Sequence, residues 1–207
     1  MKTIIFGATG KTGVELATQA LDKGHTVTTF VRDAARKMNE HENLTQFVGD
    51  VFDIPSVEKA VMGQDAVICA LGAGSSLKNT NVRTTGTSII IKAMHTHNVK
   101  RLIVISAMGV GDSWNTLSAF NKFIFATLLF SSRKDHEAQE VLVRKSKLDW
   151  TIVRPSGLTD GPRTGVYDVG ENILAKTSRI ARADVADLIV SEIEQNSLVG
   201  KAVTITN

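Results

Sequence analysis

The sequence predicts an α/β fold in which a doubly wound, mainly parallel sheet carries helices on both faces. Three observations lead to this prediction. Short β-branched runs alternate with helical patterns through the first half of the chain, the runs are short and largely apolar, and a glycine-rich turn joins the first run to the first helical pattern. Such alternation is typical of parallel strands joined by right-handed crossovers, and continuous apolar runs are typical of strands covered on both faces.

The elements follow in order from the position of these runs and of the residues that break them. We predict strands at 2–6, 26–31, 44–48, 66–70, 101–106, 150–154 and 202–206. We predict helices at 13–23, 34–39, 57–62, 82–95 and 183–194, and two more between 113 and 147, separated at Ser131 and Ser132. Residues 156–177 contain four glycines and one of the three prolines, so they predict a long loop with a short hairpin. Loops of this length are usually functional.

The composition indicates one globular domain over residues 1–207. Hydrophobic residues make up 43% of the chain and charged residues 22%, which gives no reason to expect disorder. The 24 Lys and Arg residues are nearly balanced by 21 Asp and Glu residues. We therefore expect no nucleic-acid partner, and we expect a monomer or a small homo-oligomer.

The single cysteine, Cys69, lies in an apolar run and cannot form an intramolecular disulfide, which fits a reducing compartment. A buried core position is the simplest interpretation of it. No apolar run reaches the roughly 18 residues that a bilayer span requires. We therefore expect a cytoplasmic protein with no membrane partner, and we predict no metal site.

The turn after the first strand has the pattern Gly7-x-x-Gly10-x-x-Gly13, with Thr9, Lys11 and Thr12 between the glycines. One glycine permits the tight turn, another lets a pyrophosphate approach the backbone, and the third allows close packing of the helix. A chance cluster of glycines is the alternative. The strand before it and the helix after it favour a Rossmann-type dinucleotide site.

The residues after the second strand indicate which dinucleotide is bound. NAD sites usually place an acidic residue there, but this chain has Arg32, with Arg36 close by. A cation suits the 2′-phosphate of NADP, so we predict that NADP(H) is preferred over NAD(H). The alternative is that Arg32 only caps a solvated turn.

Further cofactor contacts are predicted where the third and fourth strands end. Asp50 and Val51 follow the third strand, where Asp50 could accept a hydrogen bond from the adenine amino group. Ala70, Leu71 and Gly72 follow the fourth, where small residues leave room for ribose and diphosphate. Open α/β sheets bind ligands at this edge.

An ordered set of motifs resembles the atypical short-chain dehydrogenase/reductases, in the NmrA-like group that includes biliverdin reductase B, a flavin reductase. The resemblance covers nearly the whole chain. Its carriers are Gly-Ala-Thr-Gly-Lys-Thr-Gly from Gly7, Val-Arg-Asp at 31–33, Gly-Asp-Val from Gly49, Gly-Gln-Asp-Ala-Val at 63–67, Ser-Ala at 106–107, Lys-Asp-His at 134–136, Trp-Thr-Ile-Val-Arg-Pro at 150–155, Leu-Thr-Asp-Gly-Pro at 158–162 and Ala-Arg-Ala-Asp-Val-Ala at 181–186.

The resemblance implies where cofactor and substrate lie. It places Ser106 and Ala107 beside the nicotinamide, with Ser106 as the candidate catalytic residue, and it makes Pro155 to Leu158 the far wall. A serine that only bonds the backbone is the alternative. At the substrate side, Met108 and Gly157 stand where biliverdin reductase B has an aromatic residue and a histidine. His136 stays in register with the family.

Two arginines, Arg163 and Arg133, could meet acidic groups of a substrate, although solvated charges explain them equally well. We place Met108, His136 and Arg163 at the substrate site.

The sequence departs from the ordinary short-chain dehydrogenases in one important respect. Its single tyrosine, Tyr167, has no lysine four residues on, so the usual Tyr-x-x-x-Lys acid is absent. A flavin, quinone or tetrapyrrole accepts a hydride without that acid. We therefore expect an NADPH-dependent reductase of a flavin or biliverdin-like acceptor.

Two alternatives remain. A non-catalytic NADP(H)-binding redox sensor would use the apolar segment 120–130 as a partner surface, although burial of that segment is the simpler interpretation. A sugar-directed or isomerase activity of the extended short-chain type ranks lower, because it would need the absent Tyr-x-x-x-Lys pair.

Overall fold

The computed structural model describes residues 1–36, 40–72, 81–116, 130–171, 173–175 and 177–207. Eight strands form one sheet in the order β3-β2-β1-β4-β5-β6-β10-β8, and two further strands, β7 and β9, pair separately. The strands are β1 (Lys2–Phe6), β2 (Thr26–Val31), β3 (Leu44–Val48), β4 (Ala66–Cys69), β5 (Arg101–Ile105), β6 (Asp149–Pro155), β7 (Gly157–Thr159), β8 (Asp168–Gly170), β9 (Arg179–Ala181) and β10 (Ala202–Thr206).

The long strands of the main sheet are parallel, and only the edge strand β8 runs antiparallel, against β10. The order changes direction between β1 and β4, which is the switch point where open α/β sheets bind ligands. The predicted doubly wound, mainly parallel Rossmann-type fold is therefore confirmed.

In the described part of the chain, five α-helices cover the two faces of the sheet. They are α1 (Lys11–Asp22), α2 (Ile54–Val61), α3 (Val82–Thr96), α4 (Phe130–Lys145) and α5 (Arg182–Gln195), and a 3-10 helix spans Gly111–Thr116. None of the helices in the described ranges is long and apolar enough to cross a membrane.

The apolar strand residues alternate between two cores, one on each face of the sheet. Ile5, Ile68 and Ile103 pack with residues of α1 and α5. Phe6, Val67 and Val104 pack on the other face with residues of α2, α3 and α4. Cys69 belongs to that second core and is fully buried, as predicted. Apolar burial on both faces is what fixes the register of the parallel strands.

The structure corrects several boundaries. Residues 34–36 form a turn instead of the predicted helix, because Asp33 bonds the backbone two and three residues on, and residues 37–39 lie outside the described part. Ser131 and Ser132 do not break a helix but lie in the first turn of α4. The predicted helix before that point, including the apolar segment 120–129, lies outside the described residues.

The predicted hairpin within 156–177 is wrong. β7 pairs in parallel with β9, and β8 instead extends the main sheet beside β10. Pro155 does not end the preceding strand early but is its last paired residue, opposite Ile205, a position where the missing N–H of proline is tolerated.

Candidate active site

The glycine-rich turn after β1 is packed so closely that side chains are excluded from it. Gly7 has φ +85°, and a Cβ atom there would lie 2.3 Å from the Ala70 carbonyl oxygen. A Cβ on Gly13 would lie 2.3 Å from the Gly7 carbonyl oxygen. Both distances are far below contact, so the turn and the start of α1 require glycine at these positions.

The same turn leaves hydrogen-bond donors free for a ligand. Gly10 is the N-cap residue of α1 and makes no side-chain cap, so the first N–H groups of the helix have no acceptor within it. These donors and the positive end of the helix dipole suit a pyrophosphate. The residues present therefore fit the phosphates of a dinucleotide.

Lys11 points from this turn toward the segment that follows β7. Its ammonium group lies 2.5 Å from Asp160 Oδ2, and Arg182 contacts the other carboxylate oxygen. The hydrogen bond from Lys11, helped by the charge of Arg182, holds the pKa of Asp160 below its usual value. Asp160 thus neutralises much of the Lys11 charge at the mouth of the site.

Arg32 and Arg36 lie at the same edge of the sheet as the glycine-rich turn. β2 pairs with β1 so that Phe30 lies opposite Phe6, and both arginines follow within a few residues. Both side chains are exposed. Within the described residues, the Arg32 guanidinium makes no ion pair, so its charge is available to a ligand.

Asp50 and Val51 follow β3 at this edge, since the Gly49 N–H donates to the Val31 carbonyl. Asp50 is exposed, and its Oδ1 accepts a hydrogen bond from the Phe52 N–H at 3.0 Å. The second carboxylate oxygen remains open to an adenine amino group. Val51 is buried and packs close to Gly86, where a Cβ would lie 3.0 Å from a Val51 methyl group.

A cleft of about 490 Å³ opens beside the glycine-rich turn, where β4, β5 and β6 end. It brings together ten residues that the sequence placed at the cofactor or substrate. They are Thr12, Ala70, Leu71, Gly72, Ser106, Ala107, Met108, His136, Pro155 and Leu158. The cleft also includes Arg133, which the sequence offered as a contact for acidic substrate groups, and Ser156, which belongs to the predicted far wall. Arg83 and Ser132 lie there too, and the sequence did not place them at the site.

Arg163 is not brought to this cleft. Its Nη1 lies 3.6 Å from Asp187 Oδ1 on α5, and its side chain is 56% exposed. The residues after β7 run along α5, where Asp184 accepts hydrogen bonds from the N–H groups of Thr164 and Gly165. This anchoring holds the neighbouring Arg163 away from the residues that form the cleft wall.

Ser106 is fixed at the base of the cleft by a buried ion pair. Its Oγ donates a hydrogen bond to Glu140 Oε1 at 2.7 Å. Arg154 donates to both oxygens of the same carboxylate, from Nε at 2.9 Å and from Nη2 at 2.6 Å. Because the only proton of the Ser106 hydroxyl is directed at Glu140, the hydroxyl can offer only lone pairs to a ligand in the cleft.

Arg154 has no solvent-exposed surface, and a second carboxylate, Asp112, lies 2.7 Å from its Nη1. Burial works against the guanidinium charge, but the hydrogen bonds and charges of Glu140 and Asp112 outweigh it and raise the pKa of Arg154. Sequence reasoning missed the role of this pair. The signal was the charged Arg154 inside an otherwise apolar strand.

His136 extends from α4 into the cleft wall and is 8% exposed. Burial, together with the positive charge of Arg83, lowers the pKa of His136 to about 3. The imidazole is therefore neutral at physiological pH. Its Nδ1 is buried and has no hydrogen-bond partner, so the ring keeps a polar atom for a ligand.

The fold and the glycine-rich turn together define a dinucleotide-binding α/β protein, with a cleft beside that turn. Comparison with known proteins agrees with this class. A family model described as NAD(P)H-binding matches residues 7–196. The chain belongs to this NAD(P)H-binding family.

An uncharacterized chloroplastic protein of Arabidopsis thaliana is 30% identical over 213 residues, covering 99% of this chain and 76% of that protein. Two solved structures are similar over the whole chain. The anaerobilin reductase ChuY from Escherichia coli O157:H7 has a TM-score of 0.83 and 24% identity, with 97% of its chain covered. A short-chain dehydrogenase/reductase from Veillonella parvula in complex with NADP has a TM-score of 0.84 and 21% identity, with 94% covered.

Proposed function

We propose that this protein is an NADPH-dependent reductase whose acceptor is a flavin or a biliverdin-like tetrapyrrole. The observation that carries the proposal is the continuous cleft from Thr12, at the phosphate turn, to Ser106, Met108 and Leu158. A volume of about 490 Å³ falls within the usual range of small-molecule sites. It offers room for a flat acceptor beside the nicotinamide end of the cofactor.

A preference for NADPH is part of the proposal. Arg32 is exposed at the end of β2 and makes no ion pair among the described residues, so it can meet a 2′-phosphate without losing another partner. The Veillonella parvula neighbour was solved with NADP, which agrees with this choice. Arg36 lies four residues on, in the same turn region, and adds positive charge there.

When it is bound, NADPH supplies a hydride, and the residues of the cleft then have to position the acceptor. The Ser106 hydroxyl donates its proton in a hydrogen bond to Glu140, so it can only accept a hydrogen bond from the ligand. A carboxamide N–H or a ring N–H would be a suitable donor. Met108 is 5% exposed and provides an apolar surface for a flat ring. His136 contributes a neutral ring nitrogen to the same wall.

The acceptor class follows from the position of the single tyrosine. Tyr167 donates its hydroxyl proton to Asp187 Oδ2 at 2.8 Å and is not among the residues of the cleft wall. Burial, together with this hydrogen bond, raises the pKa of Tyr167. Without a tyrosine acid, acceptors that take their proton from solvent are favoured over ketones. The anaerobilin reductase neighbour agrees with a tetrapyrrole as one such acceptor.

The test is anaerobic oxidation of NADPH followed by absorbance, with FMN, FAD, riboflavin, biliverdin or a quinone as acceptor. We expect turnover with at least one of them, and the Ser106→Ala variant should raise KM or lower kcat for that acceptor. Tight NADPH binding with no turnover of any acceptor would instead support a redox sensor. That alternative is favoured by the engagement of Ser106 and Tyr167 with carboxylates, which leaves neither as an acid.

A further inference from the structure

The charged side chains in the described wall of the cleft are all cationic, although carboxylates lie behind them. Two guanidinium groups, Arg83 and Arg133, belong to its wall, and none of the described wall residues is acidic. Both guanidinium groups are partly buried, and each also lies beside a carboxylate outside the wall. Partly buried cations of this kind are usually paired or ligand-binding.

Arg83 makes only one long contact with a carboxylate among the described residues. Its side chain is 13% exposed, and its Nη1 reaches Asp135 Oδ2 only at 3.4 Å. Its Nε is buried and has no hydrogen-bond partner. The guanidinium therefore keeps donors that no described protein group uses.

The carboxylate of Asp135 is already engaged elsewhere. Its Oδ1 accepts from the Thr84 hydroxyl at 2.6 Å and from the Thr84 N–H at 3.0 Å. Although burial opposes it, the hydrogen bonds from Thr84 hold the pKa of Asp135 below its usual value. Asp135 thus connects α4 to the start of α3. Its only contact with the Arg83 guanidinium among the described residues is the long one at 3.4 Å.

Arg133 lies on the first turns of α4, in the same wall. Its guanidinium stacks on Trp114 with 4.2 Å between Cζ and the ring centroid. Its Nε lies 3.1 Å from Glu137 Oε1, one helical turn away, and the Glu137 side chain is 38% exposed. Stacking holds the guanidinium plane in place, and none of the described residues accepts a hydrogen bond from its terminal N–H groups.

We propose that Arg83 and Arg133 bind an anionic group of the acceptor, a phosphate or a carboxylate, and so select anionic acceptors over neutral ones of the same ring system. The proposal rests on the proposed function and narrows its substrate class. A phosphate of the dinucleotide could supply the same chemistry, so the test must separate the two sources. FMN and riboflavin are suitable probes, because they share one ring and differ by a phosphate.

The experiment measures binding of FMN and of riboflavin to the protein with NADP⁺ bound, from flavin fluorescence, together with NADPH binding by calorimetry. We expect the unaltered protein to bind FMN about tenfold or more tightly than riboflavin, as expected for charge-assisted hydrogen bonds. Arg83→Gln should abolish that difference and leave riboflavin and NADPH affinities unchanged. Arg83→Lys, which keeps the charge, should retain most of the difference, which excludes misfolding as the cause.

Arg144→Gln is the matched control, since Arg144 lies on α4 outside the cleft and should keep full discrimination. Equal affinity of the unaltered protein for FMN and riboflavin would overturn the inference. So would a fall in NADPH affinity in Arg83→Gln with discrimination intact, which would assign Arg83 to the dinucleotide. The proposed function would still stand in both cases if the flavins are reduced, and it fails separately if NADPH binds but no acceptor is turned over.

Discussion

Replacing Glu140 by glutamine changes the group that holds Ser106 and Arg154 at the base of the cleft. The Glu140 side chain is 5% exposed and accepts one hydrogen bond from Ser106 and two from Arg154. An amide removes the negative charge and turns one acceptor into a donor that faces other donors. Among the described residues, Arg154 would then keep one carboxylate partner, Asp112, whose side chain is 52% exposed.

The magnitude follows from the burial of the pair. Removing one partner of a buried ion pair costs about 3–5 kcal/mol of unfolding free energy, since the other charge is left without compensation. Asp112 retains part of the interaction, so we expect about 3 kcal/mol. For a protein of this size each kcal/mol lowers Tm by about 2–4 °C, which gives a decrease of about 6–12 °C.

The measurement is denaturant unfolding at neutral pH, with thermal unfolding followed by circular dichroism. Glu137→Gln is the matched control on the same helix, because its exposed pair with Arg133 should contribute less than about 1 kcal/mol. A double variant with methionine in place of both Glu140 and Arg154 should lose less unfolding free energy than the two single variants together. The reason is that no buried charge is then left without a partner. The reasoning would be refuted if Glu140→Gln lost less than about 1 kcal/mol of unfolding free energy. It would also be refuted if the loss in the double variant equalled the sum of the losses in the single variants.

Three further predictions concern the cofactor turn, the dinucleotide preference and pH. Gly13→Ala places a Cβ 2.3 Å from a carbonyl oxygen and should weaken NADPH binding about tenfold or more. Gly24→Ala, with no atom within 4 Å of its Cβ, should leave NADPH binding unchanged. Equal NADPH affinities of the two variants by calorimetry would contradict phosphate binding at the glycine-rich turn. Arg32→Gln should lower NADPH affinity about tenfold while NADH affinity stays the same, and an unchanged ratio of the two constants would remove Arg32 from the site. The pKa of His136 is about 3 in the folded protein, below that of the unfolded chain, so only the unfolded chain takes up a proton there as the pH falls. The unfolding free energy should therefore be highest above about pH 6.5 and fall by about 1 kcal/mol between pH 6 and pH 5. In denaturant unfolding, His136→Gln should reduce the dependence of the unfolding free energy on pH, and His97→Gln should leave it unchanged. An unchanged pH dependence in both variants would contradict the lowered pKa of His136.

The parts of the fold that the sequence predicts well are those set by local pattern. The bounds of β1, β2 and β3 agree with their apolar runs, and the glycine spacing located the phosphate turn, since tight turns and close packing admit only glycine. Ser106 and His136, which the resemblance placed at the cofactor and substrate, both line the cleft, and their roles there stay predictions.

What the sequence did not predict depends on contacts between distant segments. The pairing of β7 with β9 and of β8 with β10 joins three-residue strands that carry no pattern of their own. The pairing of Glu140 with Arg154 crosses from α4 to β6, and Arg83 enters the cleft only because α3 packs against α4. Arg163 was misplaced because the path of 160–167 is fixed by Asp184, not by local preference.

The central claim is that the turn from Gly7 to Gly13, with Arg32 beside it, holds NADPH. Calorimetric titration of the unaltered protein with NADPH and then with NADH tests this most directly. The geometry predicts a saturable one-to-one heat for NADPH and an affinity for NADH lower by about tenfold, as expected for one lost charge-assisted contact. Absence of binding heat with either dinucleotide at several temperatures would contradict it.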